Sequence, residues 1–144
     1  MPVTVEEVRQ PSDQDLEDLQ KIYEDAPSWM LEDWPSSSHQ QAIKRLIEST
    51  RKDKAHKLFA ARFNNRLLGA IMVDEAPDYW LLHGLCVRNL TRSRGVGGRL
   101  LEQVVNKARE SGKRIQLHDP QRQLRHEQLQ STIGDYELTA RIDT

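Results

Sequence analysis

Apolar positions along the chain switch between a period near 2 and a period near 3.6 residues, and the switches divide it into elements. Val3, Val5 and Val8 mark a short strand over 3–8. Pro11-Ser12-Asp13 then opens a helix that Ser12 or Asp13 can cap, with Leu16, Leu19, Ile22 and Tyr23 as its apolar stripe. The stretch 25–28 ends it. An aromatic, Pro- and Ser-rich connection follows over 29–38. A second helix is predicted from about 38 to 49, with Ala42, Ile43, Leu46 and Ile47 facing inward, and then a charged loop over 51–57. Strands over 57–63 and 67–73 flank Asn64-Asn65, a hairpin signal because Asn tolerates positive φ.

After a turn over 74–78, the strand 79–87 is apolar at both parities. Leu81, Leu85 and Val87 share one face of a regular strand, and Trp80, Leu82 and Cys86 the other. Such a strand belongs in the middle of a sheet covered by helices. Beyond Gly98 a helix carries Leu100, Leu101, Val104, Val105 and Ala108, and Ser111-Gly112 stops it. A strand over 113–117, a weaker helix over 120–133 and a last strand over 136–142 complete the chain. The order β-α-α-β-β-β-α-β-α-β describes a mixed α/β layer fold in one domain over 1–144.

Composition narrows the function. The chain has 144 residues, 37% of them apolar and 30% charged, enough to build one core without a disordered tail. The longest apolar run, 67–73, is far shorter than the ~20 residues of a membrane helix. The N-terminus has neither the basic start nor the long apolar stretch of a signal peptide, so a cytoplasmic location is expected. Cys86 is the single cysteine, so no internal disulfide forms. The five histidines, at 39, 56, 83, 118 and 126, show no metal-ligand spacing. A net charge of −1 offers no footprint for nucleic acid or an anionic membrane. That total hides an asymmetry: residues 1–56 hold twelve acids and seven bases, and 57–144 hold ten acids and fourteen bases.

The basic excess has a focus. Residues 88–99 contain Arg88, Arg92, Arg94 and Arg99 and no acid. Within them, Arg92-Ser93-Arg94-Gly95-Val96-Gly97-Gly98 joins the apolar strand to the leucine-striped helix. Unpaired amides and the helix dipole favour an anion at such a junction. Glycines allow the backbone to approach a phosphate closely. A Walker loop fails here, because Gly98 is followed by Arg99 and Leu100. A dinucleotide fingerprint from Gly95 fails too, because it needs glycine where Leu100 stands.

The pattern Arg/Gln-x-x-Gly-x-Gly/Ala, met by Arg92, Gly95 and Gly97, resembles the acyl-CoA loop of the GNAT (Gcn5-related N-acetyltransferase) superfamily. The resemblance implies an α/β (α+β) domain with a mixed, mostly antiparallel sheet flanked by helices, its fourth and fifth strands splayed. It implies that acetyl-CoA or CoA lies against the fourth strand. The main chain of Leu85, Cys86 and Val87 would meet the pantetheine arm. Arg92, Arg94, Gly95, Val96, Gly97, Gly98 and Arg99 would hold the pyrophosphate.

Three stretches resemble the PanZ (PanM) family more narrowly: 12–22, 60–68 and 87–97. The family's members bind acetyl-CoA and promote self-cleavage of the aspartate decarboxylase zymogen. The resemblance therefore implies the decarboxylase zymogen as partner, with Asn64 in the hairpin turn that faces it. A turn residue chosen for its backbone is the competing reading of Asn64. The long connection over 29–57 and the segment from His118 onward depart from that family's pattern.

The alternative function is acetyl transfer to an amine of a small molecule or protein, which needs a base and an acid. The strand 79–87 holds no carboxylate, which leaves His83 as candidate base. A strand histidine bonded to backbone is the competing reading. Tyr136 is the candidate acid, against a tyrosine packed on the sheet.

Overall fold

The computed structural model describes residues 3–24, 44, 48, 52, 54–88, 95–118 and 137–139. In chain order these form β1 (Thr4–Glu7), α1 (Asp13–Glu24), β2 (His56–Phe63), β3 (Arg66–Glu75), β4 (Tyr79–Val87), α2 (Val96–Glu110), β5 (Arg114–His118) and β6 (Glu137–Thr139). The strands make one sheet in the order β1-β2-β3-β4-β5-β6. Pairing is antiparallel from β1 through β4 and parallel from β4 through β6.

Local chemistry explains the boundaries. Ser12 caps α1: its Oγ accepts from the Asp15 amide at 3.1 Å, while the Ser12 amide donates to the Asp15 carboxylate at 3.3 Å. Asn64 and Asn65 both have positive φ, 50° and 65°, which gives the β2–β3 hairpin the twist its strands require. The C-terminus of α2 closes as a Schellman motif, with Gly112 at φ 73° and the Lys113 amide donating to the Ala108 carbonyl at 2.9 Å.

The sheet lies between α1 and α2. α1 covers one face with Leu19, Ile22 and Tyr23 against Leu58, Ala60, Leu67, Ala70, Met72 and Cys86. α2 covers the other with Val96, Leu100, Leu101, Val104, Val105 and Ala108 against Phe59, Ile71, Val73, Trp80 and Leu82. The strand buried on both faces is β3, from Leu67 through Val73. In β4 every second residue is buried and the others are half-buried.

The fourth strand corrects the expected faces. Ala70 pairs with Cys86 but Met72 with His83, so β4 holds one extra residue there. Gly84, at φ 65°, sits in this bulge. The bulge reverses the alternation beyond it. Leu85 and Val87 therefore pack with Trp80 and Leu82 on the α2 face, and Cys86 turns to the α1 face.

Lys44 and Glu48 are helical, as the predicted second helix requires. Lys52 is helical too, where the charge run suggested a loop, and its Nζ lies 4.0 Å from Glu48 at i,i+4 spacing. The rest of that helix, the predicted helix over 120–133 and most of the last strand lie outside the described residues.

Candidate functional site

Three pieces of chain converge at one end of the sheet. The first is the end of β4. Parallel pairing with β5 runs from Tyr79–Arg114 to Leu82–Leu117 and stops there, while β4 continues to Val87. Against β3 the ladder runs on, closing with the Arg88 amide donating to the Leu68 carbonyl at 2.8 Å. In an antiparallel ladder alternate residues face alternate neighbours, so the main chain of Val87 faces away from β3, toward the β5 side of the strand and beyond the last β4–β5 pair.

The second piece is the start of α2. Gly95 is its N-cap at φ 81°, in the left-handed region, and no side chain caps the helix. Its first turn carries no acid. Among the described residues the amides of Val96, Gly97 and Gly98 find no partner; the first ladder bond runs from the Arg99 amide to the Gly95 carbonyl at 3.0 Å. The positive end of the helix dipole there favours an anionic acceptor. Arg99 is half-exposed there, 3.7 Å from Glu102.

The third piece is a glycine contact that brings the first two together. A Cβ on Gly69 would meet Val87 at 3.2 Å and Val96 at 3.4 Å, and one on Gly97 would meet Val87 at 3.4 Å. Small residues here let the start of α2 rest directly on the end of β4. Among the described residues nothing stands within 4 Å of where a Cβ on Gly95 or Gly98 would be.

The residues expected to line an acyl-CoA site are therefore adjacent where they are described: Leu85, Cys86 and Val87 on one side, Gly95, Val96, Gly97, Gly98 and Arg99 on the other. Arg92 and Arg94 lie outside the described residues, as does Tyr136. Cys86 is buried, and its thiol donates to the Ile22 carbonyl at 3.2 Å.

His83 lies just beyond the last β4–β5 pair, on a face the sequence could not assign. Its Nε2 is 3.3 Å from Oδ2 of Asp74, a close contact without an aligned hydrogen bond. Asp74 Oδ1 is 2.8 Å from Nδ1 of His56. Burial opposes charge on Asp74, yet His83 and His56 outweigh it and hold the carboxyl below the usual carboxylate range. The His83 ring is thus tied back to β3. Asp74 and His56 are neighbours that sequence spacing did not reveal, because a sheet register places them.

Asn64 occupies an exposed hairpin tip held by charge pairs to α1. Arg62 donates to both Asp15 oxygens at 3.1 and 3.2 Å, and Arg66 and the Leu67 amide converge on Asp18 at 2.7 to 3.1 Å. Asp18 is fully buried, and its burial disfavours the carboxylate. The bonds from Arg66, Leu67 and Gln14 outweigh that and keep its pKa low. Asp15 is likewise held low, against burial, by Arg62 and Ser12.

Tyr23 and Gly84 are a further pair that sequence spacing did not reveal. The Tyr23 hydroxyl donates to the Gly84 carbonyl at 2.9 Å, in the interior. A glycine inside an apolar strand is a sign of a bulge, and Gly84 carried that sign. Tyr23 read only as part of the helix stripe.

Comparisons with known proteins agree with this architecture. In Escherichia coli a protein named PanD regulatory factor is 39% identical over 105 residues, covering 73% of this chain and 68% of that protein. A solution structure of a putative N-acetyl transferase from E. coli, YhhK, bound to coenzyme A, is 37% identical, with TM-score 0.52, covering 74% of this chain and 69% of that one. A transcriptional regulator from Bacillus halodurans shares the fold at TM-score 0.70 and 21% identity over 99% of both chains. Among the described residues no helix is long and apolar enough to cross a membrane. Residues 2–143 match the family described as PanZ, an acetyltransferase (GNAT) domain, and this chain belongs to that family.

Proposed function

We propose that this protein binds acetyl-CoA at the junction of β4 and α2 and, so loaded, promotes self-cleavage of the aspartate decarboxylase zymogen. The observation that carries the reading is the acid-free start of α2, without a side-chain cap among the described residues, resting on the part of β4 beyond its last pair with β5. The amides of Val96, Gly97 and Gly98 would receive the pyrophosphate, with the side chains of Arg92, Arg94 and Arg99 adding charge. The main chain of Leu85 to Val87 would receive the pantetheine arm as an added strand. The coenzyme A bound to the E. coli relative and the name of the curated relative support the ligand and the partner respectively.

The hairpin tip suits a docking role. Two Arg–Asp pairs hold it against α1, so Asn64 is presented with little freedom to lose on binding.

Thermal titration with acetyl-CoA, CoA, ATP and NADH tests the ligand. A CoA species at 100 times its Kd is expected to add about 2.7 kcal/mol, with ATP and NADH inert. Incubation with the zymogen tests the partner: cleavage accelerates only when the protein and acetyl-CoA are both present. Asn64→Gly keeps the positive-φ turn and removes the side chain. It is expected to abolish the acceleration while leaving acetyl-CoA binding unchanged. Selective binding without any acceleration would reject the partner and keep the ligand.

A further inference from the structure

The bulge in β4 is where the strand changes both its faces and its neighbours. Leu82 is the last residue paired with β5, and the extra residue enters immediately after it, between His83 and Cys86. Without that residue, Leu85 and Val87 would turn to the α1 face and Val87 would leave the start of α2. The bulge therefore sets which main-chain groups of β4 face the β5 side beyond Leu82.

A bulge also leaves backbone groups out of the ladder, and a buried carbonyl needs a donor. The end of α1 supplies one. The buried Tyr23 hydroxyl donates to the Gly84 carbonyl at 2.9 Å. The adjacent Ile22 carbonyl accepts from the Cys86 thiol at 3.2 Å. Two consecutive residues of α1 thus grip the bulge at Gly84 and two residues beyond it. Burial, together with the neighbouring Cys86, pushes the Tyr23 phenol well above its ordinary value, so it stays a neutral donor. The Met72 methyl stands where a Cβ on Gly84 would be, at 2.2 Å, so the bulge is closed from the β3 side as well.

We infer that Tyr23 is a positioning residue for ligand binding: through its bond to Gly84 it holds the β4 bulge in the shape that presents Leu85–Val87 to the pantetheine arm. Tyr23 touches no ligand in this reading. The inference rests on acyl-CoA binding at the β4–α2 junction and assigns the arm's half of that site a support on α1.

The test separates the two halves of the ligand. CoA carries the arm; adenosine 3′-phosphate 5′-diphosphate is the same nucleotide without it. Calorimetric titration of both ligands into wild type and Tyr23→Phe is expected to show CoA weakened about tenfold and the nucleotide changed less than twofold. Equal weakening of both ligands, or no change in either, overturns the inference. Should Tyr23→Phe fail to fold, Cys86→Ala, which removes the neighbouring bond to Ile22, must show the same selectivity; equal effects on the two ligands overturn it there too. Wild type that binds neither ligand overturns the acyl-CoA reading itself, and this inference with it. Wild type that binds both, with a variant unselective between them, overturns this inference alone.

Discussion

Helices α1 and α2 hold the same sheet by different means. α2 buries Val96, Leu100, Leu101, Val104, Val105 and Ala108 and no charged group. α1 buries Leu19, Ile22 and Tyr23 together with Asp15 and Asp18. Apolar contact is non-directional and grows with the area buried, so it fixes that α2 lies on the sheet but constrains its details only through packing. Carboxylate–guanidinium bonds and a phenol–carbonyl bond have direction and length. α1 therefore sets particular points of the backbone: the hairpin at Arg62 and Arg66, and the bulge at Gly84. The lesson is a division of labour. The apolar helix brings its own N-terminus to the site, and the polar helix shapes the strand and turn that face the outside.

The contrast breaks most visibly on the apolar side. Leu100→Ala empties a fully buried position and is expected to cost about 2–5 kcal/mol, read by denaturant unfolding. Asp18→Ala removes the acceptor of the buried Leu67 amide and is expected to cost about 1–3 kcal/mol in the same measurement. It should also raise amide exchange at the 64–65 turn, whereas Leu100→Ala should not do so selectively. Ser12→Ala loses the α1 cap, an effect of about 1 kcal/mol.

The smallest effect is a slope. A carboxyl held below its ordinary value takes up its proton less readily folded than unfolded. Its stabilisation is complete above the ordinary value of about 3.9 and drains as pH falls through the depressed folded value. Asp15, Asp18 and Asp74 are all lowered, so stability is expected to fall with acidification below about pH 4. Asp15→Asn should make the Tm-against-pH curve shallower there than in wild type. A curve of unchanged slope would show that α1 is held by area, as α2 is.

Much of this was legible in local pattern. Asn64-Asn65 announced the hairpin, Ser12 the start of α1, and Ser111-Gly112 the end of α2. Each of these signals lies within a few residues of what it predicts. The same locality explains the error in β4. A period-2 count assumes no insertion, so Leu85, Val87 and Cys86 were each assigned to the wrong side of Gly84's bulge. It also explains why the helix pattern did not single out Asp15 and Asp18, which the fold buries. Their partners Arg62 and Arg66 are 47 and 48 positions away.

By itself, then, the sequence determined the order of the elements, the caps and turns that bound them, and a glycine-arginine segment suited to phosphate. Tertiary structure alone decided three things: the face on which Leu85, Val87 and Cys86 stand, the partnership of His83 with Asp74 and His56, and the hold of Tyr23 on Gly84. The last joins residues 61 positions apart. Propensity and periodicity act through neighbours along the chain. The register of a strand and the donor for a bulged carbonyl are supplied by whatever the fold packs beside them.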